Sequence, residues 1–353
     1  MAYTHPKMST ISTINDLAGE TYLDIFEYFY INELFDSFWD LNYRLNSLIC
    51  ENRIPLAIRF TDARENESAQ FARKFYSMSM DRTCIRSYTL SSNDLSQQQL
   101  LFIGSFSKLQ SLIIDPLRNV DSIELKRFLF DQPQQPSLKY VSIKFSTCFS
   151  PKEFDEILDC LYQIQSLTTL KVYGNRQMIL QLSLPLHVLN IQRLTLVPFP
   201  IDCENLLLAF AKYLPNLCYL NGTLNSLTGA DNADRPTAKY WIRHHSALNM
   251  AQSSCLMPNL KQLYFDFHCP IRVNDFGRFD QILSSLLLSL PKLEKITLVF
   301  YDRVNKQLFY HLFDISEQSC FQYQYDEETN TEIQDGHSRM KIIIRITRQK
   351  AYI

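Results

Sequence analysis

An apolar phrase of the form L-x-x-L-x-L, with Ile, Val, Tyr or Phe standing in for Leu, recurs along this chain and constrains its fold more than any other feature. It stands at Leu109-Leu112-Ile114, Leu138-Val141-Ile143, Leu167-Leu170-Val172, Ile191-Leu194-Leu196, Leu260-Leu263-Phe265 and Leu293-Ile296-Leu298. Weaker copies are Ile85-Tyr88-Leu90 and Leu217-Leu220, where Gly222 takes the last apolar place. First anchors are therefore 24, 29, 29, 24, 26, 43 and 33 residues apart. The last two anchors of each phrase lie two residues apart, the spacing of a strand with one buried face. Between phrases run stretches with helical spacing, at Glu124 to Phe130, Pro151 to Tyr162, Cys203 to Leu214 and Asp275 to Leu290. In the second, Phe154, Ile157, Leu158 and Leu161 form an i, i+3, i+4, i+7 stripe. Pro215, Pro258 and Pro291 precede three phrases, where proline ends a helix and begins an extended segment.

One strand and one helix cannot bury their apolar faces alone, so successive copies must stack. The copies resemble leucine-rich repeats of the helix-containing kind, whose period is roughly 20–29 residues. The resemblance implies an α/β solenoid over residues 53–353, with a curved parallel sheet and helices outside. The 43-residue interval calls for an insertion near 226–254. Asn175 alone holds the polar place, three residues past the last anchor, that such repeats use to bond the turn. A final strand at 339–348 follows an acidic segment, Tyr325 to Gly336, read as an exposed loop, and would cap the array.

The 35 basic and 37 acidic residues leave a net charge of −2, which gives no general electrostatic reason to bind nucleic acid or an anionic membrane. Seven glycines and no phosphate-loop pattern argue against nucleotide chemistry. The nine cysteines form no C-x-x-C pair and read as reduced, buried thiols. The polar start of the chain lacks a secretory apolar run, and Ile282 to Leu290 is too short to span a bilayer, so cytoplasm or nucleus is expected.

Residues 1–13 read as a disordered tail, and residues 14–52 as a small all-α module without a repeat phrase. Its first helix, Thr21 to Tyr30, carries Tyr22, Leu23, Ile25, Phe26, Tyr28, Phe29 and Tyr30, too many apolar residues for one packed face. A second helix with Asn32 as cap carries Leu34, Phe35, Phe38 and Trp39. A third carries Leu41, Leu45, Leu48 and Ile49. About 40 residues is near the limit for a self-sufficient core, so the surplus apolar surface calls for a cover.

The segment resembles an F-box, through Leu17, Glu20, the block Ile25-Phe26-Glu27-Tyr28-Phe29, Leu34, and Leu41-Asn42-Tyr43-Arg44-Leu45; Ala18 stands where the family has proline. An F-box before leucine-rich repeats implies the substrate-recognition subunit of a Skp–cullin–F-box ubiquitin ligase. Leu17, Tyr22, Ile25, Phe26, Phe29 and Leu34 would then dock the Skp-type adaptor of the cullin complex. The bland alternative is a helical cap on a protein-binding repeat scaffold with no ligase role.

No enzyme constellation emerges, and no cofactor is implied. His244, His245 and Cys255, like His268 and Cys269, lack metal-ligand spacing. Asp155-Glu156 and Asp326-Glu327-Glu328 read as solvated faces, and Lys341, Arg345 and Arg348 as a modest basic edge. Recognition of a protein substrate is expected instead on the concave strand face, between the buried anchors. Lys144, Lys171, Tyr173, Arg193, Tyr219, Tyr264 and Tyr301 lie there, with Tyr140, Gln262, Asp266 and Lys295.

Overall fold

The computed structural model describes residues 17–50, 56–61, 70–71, 73–76, 82–91, 97–117, 122–131, 137–145, 150–174, 188–200, 212–224, 257–267, 290, 292–301, 321–330 and 339–348. Every apolar phrase becomes a strand. Strands β1 (Leu56–Thr61), β2 (Ile85–Ser91), β3 (Ser111–Leu117), β4 (Tyr140–Phe145), β5 (Thr169–Tyr173), β6 (Arg193–Pro200), β7 (Tyr219–Leu224), β8 (Gln262–Phe267) and β9 (Lys295–Tyr301) pair in chain order, all parallel. β11 (Arg339–Arg348) pairs antiparallel with β9, and β10 (Phe321–Asn330) pairs antiparallel with β11 at the outer edge. The chain is thus an α/β protein with an open, uncurled sheet in place of the curved one expected.

Six helices with defined ends accompany the sheet, α1 (Gly19–Phe26), α2 (Ile31–Ser37), α3 (Tyr43–Cys50), α4 (Gln97–Gly104), α5 (Ser122–Asp131) and α6 (Pro151–Tyr162), and helical residues also stand at 70–71, 73–76 and 212–213. α6 forms where the stripe predicts it. Ser150 Oγ accepts the Glu153 N–H at 3.3 Å, Glu153 Oε2 accepts the Ser150 N–H at 2.9 Å, and Pro151 opens the first turn. All four stripe residues are buried, and Phe154 meets Phe145 of β4 at 5.0 Å between ring centroids. Neither β1 nor α4 was expected from the sequence. The acidic segment expected as a loop is strand as far as Asn330, because its backbone pairs with β11. The tail 1–13, the insertion near 226–254, the helix at 275–289 and most of that at 203–214 lie outside the described residues.

The stacking follows one rule from repeat to repeat. The carbonyl just after each first anchor (Gln110, Lys139, Thr168, Gln192, Cys218, Lys261) accepts two N–H groups from the next copy, at 2.8–3.1 Å. The first-anchor N–H of Leu109, Leu167, Leu217, Leu260 and Leu293 donates three residues back, to the carbonyls of Phe106, Ile164, Leu214, Met257 and Leu290. Those five side chains are buried, so the repeat has a further apolar anchor on the near side of a tight turn. The residue before the first anchor links neighbouring copies through its side chain. Ser137 Oγ donates to the Ser107 carbonyl, Ser166 Oγ to Leu138, Asn190 Nδ2 to Gln165 and Asn259 Nδ2 to Pro215, at 2.7–3.3 Å. These bonds give the turn carbonyls donors at the junction between copies. The turns that the sequence left unspecified are thus bonded by polar residues before the strand, and Asn175 lies outside the described residues.

Aromatic side chains fill the first repeats. Tyr88 of β2 is fully buried against Phe60, Phe102 and Phe106, and its hydroxyl has no hydrogen-bond partner among the described residues. Burial drives the Tyr88 and Tyr162 phenols far above the ordinary range. In the unfolded chain both ionise near pH ~10, so the unfolded state loses protons there while the native state keeps them. Stability is therefore whole below pH ~10 and falls above it by up to ~1.4 kcal/mol per pH unit for each tyrosine. Tyr88→Phe is expected to halve that slope, and near neutrality to raise stability by about 1–3 kcal/mol by deleting an unsatisfied hydroxyl. Urea unfolding near neutrality and above pH ~10 reads both effects; a destabilised Tyr88→Phe at neutral pH contradicts the account.

Candidate binding surfaces

The N-terminal helices close on one another and on the sheet edge. In α1, Tyr22 and Phe26 point inward, with ring centroids 6.0 Å apart. In α2, Ile31, Leu34 and Phe35 do so, and in α3, Leu45 and Ile49. Phe38 bridges Phe26 at 5.4 Å and Phe29 at 5.7 Å. α2 begins one residue before the expected cap, with the Tyr30 N–H donating to Glu33 Oε2 at 2.9 Å. Asn32 serves instead to accept the Arg59 N–H of β1 at 3.1 Å. The Arg59 guanidinium stacks on the Tyr30 ring at 5.3 Å. Phe35 reaches Phe71 and Phe75 at 5.6 and 6.3 Å, which joins the module to the core of the sheet. Asp40 makes the turn into α3 at φ 67°, a conformation open to Asp. Arg44 donates to the Leu17 carbonyl at 2.7 Å and ties the third helix to the start of the first.

Of the six residues expected to meet an adaptor, Tyr22, Phe26 and Leu34 are buried, and Leu17, Ile25 and Phe29 are half-buried. The first three hold the module together and are corrected here from contact to core. The reason is geometric: i, i+4 pairs such as Tyr22 and Phe26 lie on the stripe that faces the other helices. What remains outward is Tyr28 and Tyr43, each 88% exposed, and Leu41 at 65%. Three of the six exposed large hydrophobics among the described residues thus fall in this short module, so closing the bundle leaves apolar surface over.

The second surface is the sheet face opposite the anchors. Register places Lys144, Lys171, Tyr173, Arg193, Tyr219 and Tyr264 on it together, as the alternation predicts, while the side chain of Tyr301 lies outside the described ones. Lys171 Nζ sits 5.4 Å above the Tyr140 ring, and the Arg193 guanidinium 5.1 Å above that of Tyr219. Lys144 Nζ pairs with Asp115 Oδ1 at 3.0 Å. Tyr173, half-buried among these groups, has its phenol pushed up by desolvation. Toward the end of the sheet lies a hollow of about 250 Å³. Thr297, Val299 and Ile343 are buried at its floor, and Tyr219, Tyr264, Lys295 and Arg345 stand around it. The sequence offered no sign of it, since β9 and β11 are joined by a long connection and pair antiparallel.

Of the residues weighed for catalysis, the side chains of Asp155 and Glu156 are described. Glu156 lies between Lys126, which bonds it directly, and Lys152 at 3.9 Å, and the Lys126 hydrogen bond holds its carboxyl below the ordinary range. Nearby Asp159 is pushed up by desolvation. His244, His245, Cys255, His268 and Cys269 lie outside the described residues. Among the described residues, no three metal-capable side chains come together, Cys50, Cys84, Cys160 and Cys218 form no disulfide, and no helix is long and apolar enough to cross a membrane. Compared with known proteins, the chain matches no family model and no curated protein.

Proposed function

We propose that this protein is a non-catalytic recognition subunit: its N-terminal helices dock a Skp-type adaptor of a cullin ubiquitin ligase, and its strand face holds a protein substrate. In this reading the sheet belongs to a leucine-rich-repeat solenoid, which the recurrent turn and the side-chain ladder before β4, β5, β6 and β8 support. Holding the substrate near a ubiquitin-conjugating enzyme raises its effective concentration without chemistry by this chain. The observation that carries the reading is the division within the module. Phe35 and Leu34 are spent inward on the core, while Tyr28, Leu41 and Tyr43 remain outward in the segments that resemble an F-box.

Co-expression with a Skp-type adaptor tests it. The native chain is expected to bring the adaptor through purification, and Tyr28→Asp, Leu41→Asp, Tyr43→Asp together to lose it at unchanged thermal stability. A native chain that purifies alone contradicts the proposal. The plain scaffold, with the module only as a cap, is the second reading. It is favoured by the seating of α2 on β1 through the Asn32–Arg59 bond, and by the packing of Phe35 on Phe71. The two differ in the triple variant, which leaves a cap's function untouched.

A further inference from the structure

The charges on the strand face are sorted by row. Two adjacent registered rows run across all eleven strands, one through Arg193, Tyr219 and Lys295, the next through Lys171, Tyr264 and Arg345. Counting Arg59 in β1, these rows hold five cations and no Asp or Glu, although the chain as a whole has more acids than bases. Carboxylates begin in the following row, with Asp115, Asp266 and Asp326, and there Asp115 is already paired with Lys144. Among the described residues, Lys171, Arg193 and Lys295 have no carboxylate partner; two of them rest on tyrosine rings. The hollow lies on the same path, between Lys295 and Arg345.

Resting on the reading of this face as a protein-binding surface, we infer that the partner's contact is an extended acidic segment laid across the strands, with one apolar side chain in the hollow. Charge complementarity selects the acid, and the tyrosines supply rigid apolar surface beside each cation. From Lys171 in β5 to Arg345 in β11 is five strand spacings of about 4.8 Å, about 24 Å in all. An extended chain covers that distance in about seven residues. The floor of Thr297, Val299 and Ile343 suits a Leu or Phe side chain, whereas a second charge there would be desolvated without a partner.

The probe is a fluorescein-labelled decapeptide of Glu and Asp with one central Phe, titrated into the full chain by fluorescence polarisation. Its neutral Gln/Asn counterpart and a single-stranded RNA of the same length are run beside it. The acidic peptide is expected to bind at least about tenfold more tightly than the neutral one. It should weaken about tenfold in Lys171→Gln, Arg193→Gln, Lys295→Gln, and weaken as salt rises from about 50 to about 200 mM. These positions face away from the core, so the triple variant keeps the native thermal transition. Equal binding of acidic and neutral peptides, an unaffected triple variant, or tighter binding of the RNA overturns the inference. If the adaptor co-purifies while the acidic peptide fails, only this inference falls. If the peptide binds while the adaptor does not, the ligase reading falls and the inference stands.

Discussion

Replacing Phe75 with Ala is expected to cost about 3–5 kcal/mol of folding stability. Its ring is 1% exposed and meets Phe35 of α2, Phe71, Phe102 of α4 and Phe106, at 5.5–6.3 Å between centroids. Phe71 joins the same parts of the fold, meeting Phe35, Phe60 of β1 and Phe102 at 5.4–6.3 Å, so the two rings together tie the N-terminal module to the first repeat. The cavity left by Ala would be walled by four aromatic rings from three stretches of chain, so it cannot collapse by one side chain's rearrangement. Against a typical domain stability of about 5–15 kcal/mol, the loss should bring down the helices of the module and the first strands in one transition. Urea unfolding followed by fluorescence and by circular dichroism measures it. Tyr76→Ala, next in sequence but 43% exposed and stacked on Arg82 at 4.4 Å, should cost no more than about 1 kcal/mol. Similar losses in the two variants would show that the module is not keyed to the sheet through Phe75.

A larger effect is expected from Leu170→Asp. Leu170 is fully buried in β5, with Val141 and Leu194 beside it in the neighbouring strands. A carboxylate there has no cation to meet on the packed face, and desolvating it costs several kcal/mol beyond the lost packing. The sum exceeds the roughly 4–5 kcal/mol that marks an exceptional substitution, enough to leave the chain unfolded or degraded on expression. Lys171→Asp, one residue on, lies on the other face and should leave soluble yield and the thermal transition near native, because successive strand residues point to opposite sides. Limited proteolysis of both variants separates them; equal tolerance would mean that the two faces of β5 are not distinguished.

The contrast at these two positions shows what was legible in the sequence. A strand's period of two fixes faces without reference to the rest of the fold, so the anchors and the intervening Lys171, Arg193, Tyr219 and Tyr264 could be assigned by counting. The stripe of α6 was legible for the same local reason. β1 escaped because Leu56-Ala57-Ile58-Arg59-Phe60 alternates without the leading anchor of the phrase, and α4 because Leu100 to Ile103 is a continuous apolar run with no helical face to see. The side-chain ladder was sought after the strand and lies before it, where Ser and Asn look like ordinary turn residues. In the module, which side of α1 and α2 would be inside depended on Phe71 and Phe75, residues of the expected solenoid that stand in no repeat phrase. Hence Tyr22, Phe26 and Leu34 were taken for contacts although they are core. The hollow depends on β11 folding back beside β9, a long-range pairing that no local pattern carries.

The central claim is that the module's inner face caps the sheet while its outer face docks an adaptor. Amide hydrogen exchange of the full chain, with and without a saturating Skp-type adaptor, addresses both halves at once. The account predicts added protection in segments 27–30 and 40–46, around Tyr28, Leu41 and Tyr43, with β5 to β9 unchanged. Protection confined to the strands, or none at all, would contradict it.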